Sequence, residues 1–286
     1  MKIIRSISEM KIFSLTYQKS GKTVGLVPTM GALHNGHLSL IDIARSECDL
    51  TVMSIFVNPT QFGPNEDFKK YPRTFDMDCQ KAEAAGCDIV FAPTDEEMYP
   101  SNYNTYISVE NITDQLCGAS RPGHFKGVAT VVLKFFNIVM PQTAVFGQKD
   151  AQQLIVIKRM VQDLNLSIKI KAAPIIRESD GLAMSSRNVY LTNEERSEVP
   201  VIYSGLRKAL SYFDNGEKNG SKLKDIIKTE YGKASHLLSI EYIEIVDLIN
   251  IQPLENVSDK ALIAVACRTK QSNTRLIDNI VAGGAL

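Results

Sequence analysis

The 286-residue sequence has no excess of charge of either sign, with 32 Lys+Arg set against 32 Asp+Glu. A protein that holds nucleic acid or a membrane surface mainly by electrostatics carries a basic excess, so neither is an expected partner. Any run near the ~20 apolar residues needed for a spanning helix is also missing. Met1 to Phe13 alternates charged and apolar side chains too quickly to build a signal-peptide core, and the expected location is the cytosol. Paired cysteines are lacking as well: Cys48, Cys79, Cys87, Cys117 and Cys267 are odd in number, scattered, and never spaced Cys-x-x-Cys. That pattern argues against a disulfide framework or a zinc site and for reduced, mostly buried thiols. Internal repeats and low-complexity segments are not evident. What is present, 44% hydrophobic and 22% charged residues, is an ordinary globular composition with chain enough for one large domain or two.

Hydropathy patterning predicts strands and helices in alternation. Met10, Phe13 and Tyr17 recur at helical offsets between Ser6 and Ser20, and Gly21 is a natural terminator. Thr23 to Pro28 reads as a buried strand, after which His37 to Cys48 resumes helical spacing. Leu50 to Val57 is almost continuously apolar, as a parallel strand buried on both faces is, and ends at Asn58-Pro59. A helix over Phe75 to Ala85, a short strand over Asp88 to Ala92 and a long polar stretch up to Gly127 follow. From Val128 to Val139 the apolar residues fit one broad helix face that stops before Pro141. Thr143 to Phe146 is a strand ending in Gly147, Asp150 is placed to cap a helix through Leu164, and Ile168 to Ile176 is a further strand.

The tail departs from this alternation. Thr192-Asn193-Glu194-Glu195 is a capping box opening one helix, and the polar stretch Asp214 to Ser221 opens another. Ile240 to Val246 and Ala261 to Cys267 read as strands joined only by a turn region containing Pro253, so they should pair antiparallel. The expected fold class is α/β: a Rossmann-like doubly wound parallel sheet over residues 1–184, followed by a smaller α+β C-terminal domain over 185–286.

Ligands of parallel α/β sheets sit at the carboxyl ends of the strands, and here those loops are rich in functional side chains. In Pro28-Thr29-Met30-Gly31-Ala32-Leu33-His34-Asn35-Gly36-His37 two histidines three apart share a face of the first helical turn, with Gly36 removing bulk between them. A phosphate there would meet free backbone N–H groups, the positive end of the helix dipole and imidazole donors. A helix cap or satisfied, partly buried histidines would explain the same residues. Gly147-Gln148-Lys149-Asp150 puts a cation beside a second helix start, although an isolated lysine is commonly just solvated. Ala183-Met184-Ser185-Ser186-Arg187 offers two hydroxyls and a planar guanidinium suited to a phosphate clamp, or alternatively a serine-rich linker.

Taken together these segments resemble the pantothenate synthetases, or pantoate:beta-alanine ligases, of the nucleotidylyltransferase superfamily with the His-x-Gly-His signature. The resemblance also rests on Phe56 to Phe62, Tyr71-Pro72-Arg73, Arg121-Pro122-Gly123-His124-Phe125, Phe146 to Asp150 and Met184 to Asn188, and spans most of the chain. It implies ATP-dependent condensation of pantoate with beta-alanine through a pantoyl-adenylate, with magnesium accompanying ATP and a homodimeric assembly. By that resemblance His37, His34, Lys149 and Arg187 are catalytic. Met30, Gly31, Ala32, Leu33, His34, Asn35, Gly36, His37, Gly147, Gln148, Lys149, Asp150, Ile176, Met184, Ser185, Ser186 and Arg187 line ATP. Gln61 and Gln153 hold pantoate, Gln61 also meets beta-alanine, and Asp150 is the candidate protein carboxylate for the metal.

An amide suits a hydroxy acid because it donates and accepts without adding negative charge beside the substrate carboxylate. His124 and Arg121 are expected in a glycine-punctuated loop over the pantoate pocket, and the C-terminal domain is expected to exclude water from the acyl adenylate. Gln148 and Asn35 stand where many family members carry Glu, and neither change removes a ligand. Two other classes compete. A nucleotidyltransferase acting on a phosphorylated acceptor would need basic side chains where this chain has Gln61 and Gln153. A non-catalytic nucleotide sensor would have no physical need to keep His34, His37, Lys149 and Arg187 together.

Overall fold

A computed structural model describes residues 1–64 and 66–286. The chain divides into two compact units. The first comprises residues 1–110, 121–147 and 156–174, and the second comprises 111–120, 148–155 and 175–286.

The first unit is built on a six-stranded parallel sheet in the order β1-β4-β3-β2-β5-β6. Its strands are β1 (Lys2–Ile4), β2 (Val24–Thr29), β3 (Leu50–Ile55), β4 (Ile89–Phe91), β5 (Thr143–Gly147) and β6 (Lys169–Ala173). The helices between them are α1 (Ile7–Lys19), α2 (Asn35–Glu47), α3 (Phe75–Ala84), α4 (Asp95–Met98), α5 (Cys117–Ser120), α6 (His124–Val139) and α7 (Ala151–Asp163). Of these, α5 lies in the second unit and α7 runs from the second unit into the first.

Strand alternation sends Val27, Met53, Val90 and Val145 to a core with Leu40, Ile41 and Ala44 of α2 and Cys79 and Ala82 of α3. The neighbouring positions Phe91 and Phe146 meet Phe135 and Phe136 of α6 edge to face. The sheet is therefore covered on both faces, as the near-continuous apolar strands require. Strand order reverses between β2 and β5, so the crevice for a ligand lies at the carboxyl ends of these two strands.

The second unit packs α8 (Asn193–Glu198), α9 (Val201–Asp214) and α10 (Gly220–Tyr231) with an antiparallel sheet of β7 (Leu238–Val246), β8 (Ala261–Thr269) and β9 (Arg275–Ala282). Leu206, Phe213, Leu223, Ile227 and Tyr231 close on Ile243, Ile263, Val265 and Leu276. Among the described residues no helix is long and apolar enough to cross a membrane.

The parallel sheet and the antiparallel pairing match the patterning, and several details correct it. Lys2–Ile4 forms an edge strand hydrogen-bonded to β4, in a segment too short for its alternation to register. A third antiparallel strand, β9, escapes notice because Arg275, Asp278 and Asn279 interrupt its apolar pattern. The polar stretch before Gly127 holds α4, α5 and the start of α6. The capping box at Thr192 opens only the short α8, and the long α9 begins just after Pro200. Gln148–Asp150 is a 3-10 turn that leads directly into α7, so that Asp150 stands immediately before the helix.

Candidate active site

In the first unit, β2 delivers the chain into the loop Met30–Leu33 and then α2. Gly31 (φ +82) and Ala32 (φ +51) take consecutive left-handed conformations, which reverse the chain so sharply that α2 begins at once. His34 is the residue preceding the helix, extended at φ −133, and its N–H reaches Nδ1 of His37 over 3.4 Å. The two rings lie 4.0 Å apart between centroids, tilted by 30°. With Nδ1 accepting, a neutral His37 carries its proton on Nε2, so that nitrogen is the one able to donate. Asn35 and Gly36 sit in the first turn, where backbone N–H groups have no intrahelical partner. Leu33 is a core residue, and both its polar backbone groups are engaged: its N–H donates to Asp78 (2.7 Å) and its carbonyl accepts from Lys81 (2.7 Å).

Met30 and Gly31 open on a cleft of about 290 Å³ whose other walls include Phe56, Arg73, Thr74 and Phe75. Gln61 meets Met30 nearby, its Nε2 3.1 Å from the Met30 Sδ. It is carried by the 3-10 turn Pro59–Gln61 after β3, and its amide is not free to rotate. Asn58, 1% exposed, donates through Nδ2 to Gln61 Oε1 (3.1 Å) and to the Gly127 carbonyl (3.2 Å). Asn58 Oδ1 accepts from the Tyr99 hydroxyl (2.8 Å), which fixes the orientation of the Asn58 amide as well. The turn lies so close to α6 that a Cβ on Gly127 would stand 2.3 Å from the Thr60 carbonyl oxygen.

His124 and Arg121, expected to order a loop, hold the Gln61 backbone. His124 Nδ1 lies 2.8 Å from the Gln61 carbonyl and Arg121 Nη1 lies 3.0 Å from His124 Nε2. The arginine donates, so the imidazole accepts at Nε2 and donates at Nδ1. Arg121 also forms a forked pair with Glu66, at 2.8 and 2.6 Å. Burial raises the Glu66 carboxyl, but the bonds and charge of Arg121 outweigh it and hold the group below its usual range.

The second unit gathers the other candidates. Gln148, Lys149 and Asp150 form the 3-10 turn, with Lys149 Nζ 4.0 Å from the half-exposed Asp150 carboxylate. Asn279 of β9 is buried and spends its amide on this turn: Nδ2 donates to the carbonyls of Gln148 (3.0 Å) and Lys149 (2.9 Å), and Oδ1 accepts from Gln148 Nε2 (3.3 Å). Beside it, Asp278 takes a bidentate pair from Arg177 at 2.6 and 2.9 Å. Burial pushes the Asp278 carboxyl up, and the Arg177 guanidinium opposes that rise.

Lys149 and Ser185 line one water-sized cavity together with Asn188 and Asp278. Ser185 Oγ accepts the Arg187 N–H (3.3 Å) and so caps the turn Ser186–Tyr190, while the Met184 N–H bonds the Ile176 carbonyl (3.0 Å). Lys149 and Ser185 are thus brought together, as are Ile176 and Met184. Gln153 is half-buried on α7. Its neighbour Gln152 is fully committed, tying the segment 111–120 to α7 through Cys117 N–H and the Ile112 and Gln115 carbonyls.

Asn58, Asp78 and Asn279 were not singled out from the sequence. Asp78 left a trace, an acid on the inward stripe of α3 shared with Phe75, Cys79 and Ala82. Asn279 left another, since it follows Asp278 in the middle of a strand whose other residues are largely apolar.

Comparison with known proteins identifies the family. The family model described as pantoate-beta-alanine ligase matches residues 2–281. Pantothenate synthetase from Acetivibrio thermocellus is 52% identical over 286 residues, covering 98% of this chain and 99% of its own. That from Caldicellulosiruptor saccharolyticus is 54% identical over 286 residues, with the same 98% and 99% coverage. Among solved structures, pantothenate synthetase from Thermus thermophilus superposes with TM-score 0.91 at 41% identity, covering 98% of this chain and 99% of that one. The pantoate-beta-alanine ligase of Francisella tularensis, complexed with beta-gamma ATP and beta-alanine, gives TM-score 0.80 at 34% identity over 100% of this chain and 99% of that one. With sequence and fold matching over nearly the whole length, the chain belongs to the pantoate-beta-alanine ligase family.

Proposed function

We propose that the protein condenses (R)-pantoate with beta-alanine at the expense of ATP, yielding pantothenate, AMP and pyrophosphate through a pantoyl-adenylate. The observation that carries this reading is the pair of imidazoles at the start of α2, with His37 oriented through Nδ1 so that Nε2 can donate. In the first half-reaction a pantoate carboxylate oxygen bonds the α-phosphorus, and pyrophosphate departs with the electron pair of the broken P–O bond. A carboxylate is already a nucleophile, so the step calls for alignment and charge neutralisation more than for a base. His34 and His37 supply donors to the phosphates along with the N–H groups of Asn35 and Gly36, and Lys149, Ser185, Ser186 and Arg187 hold phosphate oxygens. Met30 to Leu33, Gly147, Gln148, Ile176 and Met184 line the nucleotide.

Gln61 and Gln153 take the pantoate hydroxyls and carboxylate. In the second half-reaction the neutral amine of beta-alanine, oriented by Gln61, bonds the acyl carbon, AMP leaves with the ester oxygen, and the amine proton is released. In this reading residues 1–184, with the adjoining Ser185, Ser186 and Arg187, bind ATP and pantoate, and the remainder of 185–286 excludes water from the adenylate. A chain ending near Arg187 that made pantothenate at full rate would refute that division of labour. Among the described residues no group of three His, Cys, Asp or Glu side chains could cage a metal, and Asp150 offers a single half-exposed carboxylate. That donor set fits a magnesium ion held mainly by ATP oxygens and water, which would neutralise phosphate charge when bound. The protein works in the cytosol as a homodimer, with no nucleic-acid or membrane partner.

The test is pyrophosphate release with ATP and magnesium in the presence of pantoate, beta-alanine or both, for the wild type and His37→Ala. Release should require pantoate, and pantothenate with AMP should appear only when beta-alanine is added. Release that ignores pantoate but responds to another acceptor would overturn the substrate assignment.

A further inference from the structure

The bend that starts α2 is held only in part by its own sequence, through the Thr29 hydroxyl oxygen that accepts the Gly31 N–H (3.2 Å). Gly31 and Ala32 are both left-handed, and for Ala32 that conformation is intrinsically unfavourable, so something outside the loop maintains it. That support comes from α3, more than forty residues downstream. Asp78, 1% exposed, aims its carboxylate into the loop: Oδ2 accepts the Ala32 N–H (2.9 Å) and the Thr74 hydroxyl (3.1 Å), and Oδ1 accepts the Leu33 N–H (2.7 Å). One turn later on the same helix, Lys81 donates to the Leu33 carbonyl over 2.7 Å. The two ends of the Leu33 backbone are therefore gripped by opposite charges from one helix. A Cβ on Gly31 would stand 3.0 Å from Asp78 Oδ2, so the approach is as close as a glycine allows.

Anchoring α3 to the sheet does not require this grip, because Cys79 and Ala82 already bury that helix in the apolar core. Nor is the carboxylate available as a metal ligand: its donors are protein groups, and it joins no cluster of candidate ligands among the described residues. Its charge is spent on the two N–H groups that fix where the chain turns into His34 and His37. We propose that Asp78 is a positioning residue of the adenylation step, holding Gly31–Leu33 with the help of Lys81 so that the imidazole pair stands where the phosphates develop charge. This rests on the reading of that pair as phosphate donors. Displacing a donor by about 1 Å can cost on the order of a hundredfold in rate, which sets the scale of the expected effect.

The experiment compares wild type, Asp78→Asn, Lys81→Met, His37→Ala and the Asp78→Asn/His37→Ala double variant. An amide at position 78 keeps the shape but puts a donor against one of two N–H groups. Each protein is assayed for pantoate-dependent pyrophosphate release at a temperature where its melting curve shows it fully folded. Asp78→Asn should lower kcat/KM for ATP by about ten- to a hundredfold, and the double variant should be no more than about twofold below His37→Ala alone, because both changes disable one unit. Should Asp78→Asn fail to fold, Lys81→Met decides, with an expected loss of at least about threefold in kcat/KM for ATP. Catalysis within twofold of wild type in the folded variant, or losses that multiply in the double variant, would overturn the proposal and leave Asp78 a stabilising residue. The imidazole resonances of His34 and His37 in the ligand-free proteins give a readout independent of turnover. If wild type releases no pyrophosphate with pantoate, the functional reading falls, and unchanged resonances in Asp78→Asn would then sink the positioning role separately.

Discussion

Replacing Gly127 by alanine tests how Gln61 is held. In a helix interior the change from glycine to alanine ordinarily stabilises by about 0.5–1 kcal/mol. Here the added Cβ would lie 2.3 Å from the Thr60 carbonyl oxygen and 2.6 Å from the Gln61 nitrogen, both backbone atoms that have no rotamer through which to escape. To restore ordinary contact the Pro59–Gln61 turn must retreat by about 1 Å, and an overpacked site of this kind costs about 1–3 kcal/mol, which outweighs the helical gain. The retreat also strains the Asn58 bonds to Gly127 and to Gln61 (3.2 and 3.1 Å), so the Gln61 amide loses its orientation together with its position. We expect Gly127→Ala to fold with a lowered Tm and to raise the KM for pantoate by about tenfold or more, with a smaller effect on the KM for ATP. Initial-rate kinetics with each substrate varied, alongside calorimetry, separate these effects. A variant with wild-type KM for pantoate, or one more stable than wild type, would show that α6 and the turn are not in the contact described.

Three further outcomes follow from buried polar groups. Glu195 is fully buried and accepts N–H bonds from Thr192, Gln271 and Ser272 at 3.1, 2.8 and 2.9 Å. Burial raises its carboxyl, but these bonds prevail and bring it down to about 2. A depressed folded-state pKa contributes stability above the ordinary carboxylate range that is lost as pH falls from about 4.5 towards 2; Glu195→Gln should therefore cost about 1–3 kcal/mol at pH 7 and much less near pH 2, read by thermal unfolding. At the Lys149 turn, Asn279→Leu removes all three amide bonds and should weaken ATP binding by about tenfold in calorimetric titration, whereas Gln148→Glu loses only the 3.3 Å bond and should stay within about threefold; the reverse order would refute the role given to Asn279. Burial pushes the thiols of Cys87 and Cys267 up to about 11 and about 12, so iodoacetamide at pH 8 should leave both unmodified in the native protein and alkylate the partly exposed Cys48 first, as peptide mass mapping would record.

The parts of the fold legible in the sequence are those whose burial is one-dimensional. Leu50–Ile55 and the apolar face of α6 announce themselves because each residue's environment follows from its place in a period of two or 3.6. β9 does not, because Asp278 and Asn279 are buried against Arg177 and the Gln148–Lys149 turn, partners distant in sequence whose presence no periodicity encodes. The same division runs through the site. His34, His37, Lys149 and Ser185 stand out because loops at strand ends concentrate such side chains, whereas Asn58 and Asp78 act in part through bonds to Gly127, Tyr99 and Leu33, residues brought near only by folding.

That contrast has a physical consequence. Two candidate segments of the first unit are held by polar side chains from beyond them: the Gln61 turn by His124 and, through Asn58, by Tyr99, and the His34–His37 loop by Asp78. An amide or carboxylate buried this way is stable only with its partners in place, since leaving one unsatisfied costs about 1–3 kcal/mol or more. The turns therefore cannot move independently without breaking bonds that the surrounding core cannot replace. Preorganisation of this kind is what a carboxylate attacking phosphorus requires, since aligned donors rather than a base lower its barrier. It also dictates that substitutions at the holders should reduce kcat more than they reduce stability, while substitutions in the apolar core should do the opposite.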